Sequence, residues 1–200
     1  MDGSLPRPEV ISVNLALPQE IRWRGRLVRT SFFKEPRAGV VRAERDGLTG
    51  DEVGDPRVHG GPRKAVYAYP TEHYPYWCTE LGLEHLDWGS FGENLSLRGV
   101  TEEAIRPGDR LEIGTAMLEV TQPRTPCFKM NVRFGREDMV RRFAWAGRSG
   151  FYLGVVRPGQ FAAGDEVRIH PGPEGPPTIH EQFRVLTQRP VEPAAELADD

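Results

Sequence analysis

The chain has 200 residues, enough for one domain with a hydrophobic core, and 38% are apolar, which excludes disorder over most of its length. The formal charge is −3, from 26 basic against 29 acidic residues, so neither nucleic acid nor an anionic membrane is an expected partner. No apolar run approaches the roughly 18 residues that span a bilayer, and the start, "MDGSLPRPEV", lacks the regions of a secretory signal.

The 22 glycines and 18 prolines punctuate short segments instead of clustering, which predicts many strands joined by tight turns. "EVISVNLAL" alternates apolar and polar residues as a half-buried strand does, and "AGVVRAE" comes next. Turn signals at Asp46-Gly47 and Gly54-Asp55-Pro56 lead to the strand "KAVYAY". Between Thr71 and Leu81 the spacing predicts a helix, with Tyr74, Trp77, Cys78 and Leu81 on one face and Pro75 in the first turn. The turn Arg106-Pro107-Gly108-Asp109 precedes the strands "RLEIG" and "AMLEVTQ". A helix pair is expected from about Pro126 to Gly147, broken at Gly135, with Met139, Val140, Phe143 and Ala146 on one side of its later half. The arginines 133, 136, 141, 142 and 148 read as a solvated helical face.

"YLGVV" and "DEVRIH" complete the strands. "RPGDRLEIG" and "AAGDEVRIH" echo each other as two turn-then-strand units. After the loop "PGPEGPP", "TIHEQFRVLTQR" reads as one short helix before an acidic tail. The expected fold is therefore mainly β, a barrel with a few peripheral α-helices. Residues 1–170 form the barrel domain, and 171–200 a Pro/Gly-rich loop, a short helix and the tail.

The two cysteines have unlike surroundings, so no disulfide framework is expected, and a protein of the reducing cytoplasm fits best. Cys78 shares an apolar helical face with Tyr74 and Trp77 and should be a small buried hydrophobe. Cys127, in "TQPRTPCFKM", comes after an N-cap candidate, Thr125, and a first-position proline, Pro126. The first turn of a helix favours negative charge, and Arg124 and Lys129 add to it; each effect favours the thiolate that attacks electrophiles and binds metals.

Two further stretches can carry chemistry. In "HGGPRKAVYAYP", His59 precedes Gly60 and Gly61, whose exposed N–H groups, with Arg63 and Lys64, can cradle an anion; the same residues can equally form only a turn. In "FGENL", Asn94 offers an amide to a polar ring, or serves only a tight turn. There is no C-x-x-C, no H-x-x-x-H, no G-x-S-x-G and no P-loop or dinucleotide fingerprint.

Taken together and in this order, "HGGPRKAVYAYP", "FGENL", "QPRTPC" and the two Gly-Asp turns resemble the MOSC domain, named after the C-terminal domain of molybdenum-cofactor sulfurase, and most of all its YiiM-like branch. The likeness covers about residues 22 to 170. It implies a barrel-like fold with a cleft holding one key cysteine, which maps onto Cys127. In oxidoreductase members the equivalent sulfur ligates the molybdenum of a pyranopterin cofactor, molybdopterin, and N-hydroxylated compounds are reduced with electrons from a separate reductase. The resemblance places His59 and Arg124 in the cleft as catalytic residues beside Cys127. Gly60, Gly61, Lys64, Asn94 and Arg124 are the matching cofactor-binding positions. A second reading has Cys127 carry sulfur as a persulfide, and a third is a non-catalytic cofactor-binding module. Pyridoxal phosphate is also linked to the wider family, and Lys64 is the only lysine in the three stretches. Longer relatives of the branch add a three-helix C-terminal domain, where this chain has room for about one helix.

Overall fold

The computed structural model describes residues 7–52 and 60–188. The chain runs through β1 (Glu9–Leu15), a hairpin of β2 (Gln19–Trp23) and β3 (Arg26–Thr30), and short β4 (Glu35–Pro36). It continues through β5 (Val41–Glu44), β6 (Gly47–Leu48), β7 (Val66–Pro70), α1 (Tyr74–Leu81) and β8 (Leu95–Arg98). Next come β9 (Arg110–Ile113), β10 (Ala116–Pro123), α2 (Lys129–Phe134) and α3 (Met139–Ala146). The described chain ends with β11 (Phe151–Arg157), β12 (Gly159–Phe161), β13 (Val167–His170) and α4 (Ile179–Gln188).

One sheet carries the order β13-β9-β10-β11-β7-β8-β1-β4. Its neighbours are antiparallel except β7 and β8, which α1 joins as a parallel pair. The sheet curls until its ends meet. Val10 N donates to Asp165 O at 2.9 Å, Gly164 N to Val10 O at 2.7 Å, and Val167 N to Pro8 O at 2.8 Å. These bonds tie β1 to the entry of β13 and satisfy edges that would otherwise face solvent. The mainly β, barrel-like expectation is met.

The two Gly-Asp turns are the same device. Asp109 Oδ2 accepts from Arg106 N at 2.7 Å and Asp165 Oδ2 from Ala162 N at 2.9 Å, three residues back in each case. Each turn feeds a strand, and those strands, β9 and β13, pair with each other.

The strand expected at "KAVYAY" forms, but it has no exposed face. All five residues of β7 are buried, because both faces of the strand are covered. Val66 and Ala68 point into the aliphatic barrel core with Leu95, Leu118 and Leu153. Tyr67 and Tyr69 enter a second, aromatic core outside the sheet, with Trp77, Phe91, Phe143 and Phe183. The tyrosine hydroxyls find partners there: Tyr67 donates to Ser149 O at 2.9 Å, and Tyr69 accepts from Trp77 Nε1 at 2.7 Å. Phe183 belongs to α4, so the short C-terminal helix is part of this core. Thr178 caps α4 reciprocally, accepting from Glu181 N at 3.1 Å while Glu181 Oε2 accepts from Thr178 N at 2.7 Å. No described helix is long and apolar enough to cross a membrane.

Candidate active-site cleft

The site sits where β10 leaves the sheet. The register of β10 against β11 slips between Val120 and Gln122, leaving Thr121 to bond sideways: its hydroxyl donates to Arg63 O at 2.6 Å. Such a bulge bends a strand and re-aims the segment beyond it. Here that segment is Pro123, Arg124, Thr125, Pro126 and Cys127.

The helix-start reading of Cys127 needs correction. α2 begins at Lys129, two residues later, and Thr125 makes no cap; Cys127 contributes only its carbonyl, which accepts from Met130 N at 3.0 Å. Pro123 still belongs to β10 and residues 124–127 take no regular structure, so the helix starts late. With six residues α2 adds little field. The cation beside the thiol is therefore Arg124, whose Nη2 lies 3.9 Å from Sγ.

Cys78 is also corrected. Tyr74 and Trp77 on its helix are buried, but Cys78 is half-buried, as is Cys127. Burial alone does not tell the two thiols apart.

Arg124 is 5% exposed. Its guanidinium lies 4.8 Å from the ring of Tyr67, 5.4 Å from Phe32 and 6.0 Å from Phe143, and Nη1 is 3.6 Å from Met130 Sδ. Burial works to lower its pKa, but interactions with Tyr67, Tyr152 and Cys127 outweigh that, and the group stays charged. Burial pushes the Tyr67 and Tyr152 hydroxyls up, so both are neutral; Tyr67 donates to Ser149 O, and the Tyr152 oxygen accepts from Arg124. Among the described residues no carboxylate pairs with Arg124. A buried cation with aromatic and sulfur neighbours but no counter-charge is costly unless an anion completes it.

One cleft is lined by Gly60, Lys64, Asn94, Arg124 and Cys127, five of the positions read from the sequence. Gly61 stands beside them and builds the turn: Gly60 and Gly61 have φ of 108° and 88°, and Lys64 N closes it on Gly61 O at 2.8 Å. Lys64 Nζ lies 5.8 Å from the ring centre of Tyr152. His59 lies outside the described residues.

Asn94 is 4% exposed and its amide is fully engaged. Oδ1 accepts from Tyr67 N at 3.1 Å; Nδ2 donates to Asn14 O at 3.3 Å and Asp51 Oδ2 at 2.9 Å. It ties β7, β1 and the loop after β6 into one wall. Its neighbour Glu93 does similar work with no face on the cleft, accepting from Tyr74 Oη, Gly89 N, Phe91 N and Ser96 Oγ.

Sequence reasoning missed the rest of this wall. Lys34, 7% exposed, donates to both oxygens of Asp51 at 2.5 and 2.7 Å, and Asp51 also accepts from Ala16 N at 2.8 Å. Burial holds the Lys34 pKa below its ordinary value against the opposite pull of Asp51 and Glu93. Thr30, Ser31 and Phe32 line the same side. No local pattern links Asp51 to Lys34.

Among the described residues no three His, Cys, Asp or Glu side chains come together to hold a metal ion. A metal bound through Cys127 must bring most of its ligands with it. The cleft fits such a group: one accessible sulfur, and beside it one buried cation awaiting an anion.

The MOSC domain profile matches residues 55–168. YflK of Bacillus subtilis is 38% identical over 163 residues, 82% of this chain and 73% of the relative. A Gibberella moniliformis protein named "Reductase" is 32% identical over 167 residues, 82% of this chain but 30% of its own length. The crystal structure of YiiM from Geobacillus stearothermophilus superposes with a TM-score of 0.75 at 30% identity, covering 90% of this chain and 84% of that one. With the curled sheet, the cysteine cleft and these relatives in agreement, the chain belongs to the MOSC domain family, in its YiiM-like branch.

Proposed function

We propose that the protein is a molybdenum-cofactor-dependent reductase of N-hydroxylated small molecules, with Cys127 as a metal ligand. The observation that carries this reading is the buried Arg124 guanidinium, without a carboxylate partner among the described residues, 3.9 Å from the Cys127 sulfur. A soft thiolate suits a high-valent molybdenum, and a guanidinium suits a phosphate. The match to a relative named as a reductase supports the same class.

The overall change is the conversion of an N–OH compound, with two electrons and two protons, to the N–H compound and water. The cofactor, when bound, would supply the two-electron centre. Arg124 would hold the cofactor's anionic tail in a low-dielectric cradle of aromatic rings. The Gly60–Gly61 turn and Lys64 would help hold that tail, and the Asn94–Asp51–Lys34 network ties one wall of the cleft together. His59, if it reaches the cleft, can deliver a proton to the departing oxygen, since imidazole titrates near neutrality. The structure and the relatives add nothing to the pyridoxal phosphate reading.

The test is metal and pterin analysis of protein made in a host that loads other molybdenum enzymes. Wild type should retain both in stoichiometric amounts, Cys127→Ala should lose most of the metal, and Cys127→Ser should hold it weakly. Metal-free wild type that gains one sulfur atom on Cys127 from a desulfurase would overturn the reading in favour of a sulfur carrier.

A further inference from the structure

We propose that Tyr152 is the substrate-anchoring residue of the cleft: its hydroxyl donates a hydrogen bond to the oxygen of a bound N-hydroxylated molecule. This rests on the reductase reading. Tyr152 lies on β11, where it pairs with Gln122 of β10 on one side and Tyr67 of β7 on the other. The Thr121 hydroxyl, at the bulge that re-aims Arg124 and Cys127, lies 3.1 Å from Tyr152 O. One irregularity of β10 thus fixes the tyrosine and the cysteine segment together. The Tyr152 ring is held beside that of Tyr67, with centres 5.5 Å apart, and Lys64 Nζ lies 5.8 Å from its centre. Trp23 of β2 stacks on Phe128, the residue after Cys127, with ring centres 5.8 Å apart, and steadies the sulfur's own segment.

What sets Tyr152 apart is its proton. A guanidinium only donates, so the contact between Arg124 and the Tyr152 hydroxyl uses the tyrosine's oxygen and leaves its O–H to point elsewhere. The cleft's other tyrosine, Tyr67, gives its proton to Ser149 O. Tyr152 is half-buried and lines the cleft, yet no acceptor for its proton stands among the described residues. Such a donor costs stability unless a ligand or water accepts from it. Arg124 joins this donor to the chemistry, since the same guanidinium bonds the Tyr152 oxygen and lies 3.9 Å from Cys127 Sγ. A small molecule reacting next to that sulfur brings its oxygen to the side of the cleft where Tyr152 stands. An anionic cofactor tail calls for cations, which Arg124 and Lys64 supply; a neutral phenol suits an uncharged N–OH oxygen. The N–H product lacks that oxygen, so the contact favours substrate over product. The hydroxyl binds and orients, and no bond within it breaks.

The probes are hydroxylaminopurine and adenine, a neutral pair that differs by one oxygen, titrated calorimetrically into cofactor-loaded protein without an electron donor. Wild type should bind hydroxylaminopurine more tightly than adenine. Tyr152→Phe, which keeps the ring, should bind hydroxylaminopurine about three- to tenfold more weakly and adenine as before. Its metal and pterin content and its melting temperature should match wild type. In turnover, KM for hydroxylaminopurine should rise while kcat changes less. Tyr76→Phe, at a tyrosine that does not line the cleft, should behave as wild type throughout. Equal affinities of Tyr152→Phe and wild type, an equal loss for both purines, or wild type that binds neither would overturn the proposal. Loss of metal or pterin from Tyr152→Phe would overturn it too, and would assign the hydroxyl to the cofactor's phosphate. Wild type that shows the expected preference yet reduces nothing with any donor would sink the reductase reading and leave the anchoring role standing. Protein that takes up no metal sinks the reductase reading as well, and the same titrations, run on it, still judge the contact.

Discussion

Arg124 Nη2 approaches Cys127 Sγ to 3.9 Å from within a cage of Tyr67, Phe32 and Phe143 rings. The same side chain therefore fills space and carries charge, and the two roles can be separated by substitution.

Arg124→Met keeps volume and removes an uncompensated buried charge. We expect a melting temperature close to or above that of the parent, with loss of phosphate-bearing ligand. Arg124→Ala, by contrast, should leave a cavity and cost about 1–3 kcal/mol. Thermal melts beside pterin and metal analysis check both. A methionine variant that melts far below the parent would make Arg124 a structural residue.

Both thiols are half-buried, but their surroundings differ. In cofactor-free protein Cys127, beside Arg124 in an open cleft, should be alkylated faster than Cys78, and Arg124→Met should narrow the gap. Mass mapping of a brief alkylation decides; equal labelling of the two cysteines refutes the expectation.

Glu93 is fully buried, and burial raises its pKa above the usual carboxylate range despite the four groups that donate to it. The folded chain holds this proton more tightly than the unfolded one, so the group's contribution to stability falls as pH rises through the raised value. Glu93→Gln lacks that dependence and leaves donors mismatched, costing about 1–3 kcal/mol at neutral pH. The stability advantage of wild type over Glu93→Gln should grow as pH is lowered toward the carboxylate range. Denaturant titrations at several pH values test the sign.

Gly92 turns the chain beside Phe32 with φ 79°, and a Cβ there would come within 2.8 Å of the Phe32 ring and 3.2 Å of its carbonyl oxygen. Gly92→Ala should cost about 1–3 kcal/mol and, by displacing Phe32, loosen the Arg124 cradle. Melting and ligand retention should fall together; a neutral variant would show that the Phe32 wall gives way freely.

Much of this protein was legible along the chain. Alternation marked β1, β9, β10, β11 and β13, because an inward and an outward face leave a period of two. Glycine and proline marked the turns, since few residues adopt those dihedrals. Helix periodicity found α1, α3 and α4. The three motif stretches supplied Gly60, Lys64, Asn94, Arg124 and Cys127, which meet in one cleft. By itself the sequence thus determined the family and the mainly β architecture. Tertiary structure decided how those residues are used. Asn94 became a fully bonded strut, Cys127 lost its helix start and gained Arg124, and Lys34 and Asp51 appeared as a wall. The hairpin that flanks the cysteine came from an unmarked stretch. The reason is physical: local pattern reports dihedral preference and the face a side chain takes. Charge compensation, burial on both faces of β7 and the stacking of Trp23 on Phe128 depend on partners far along the chain, and only folding brings those together.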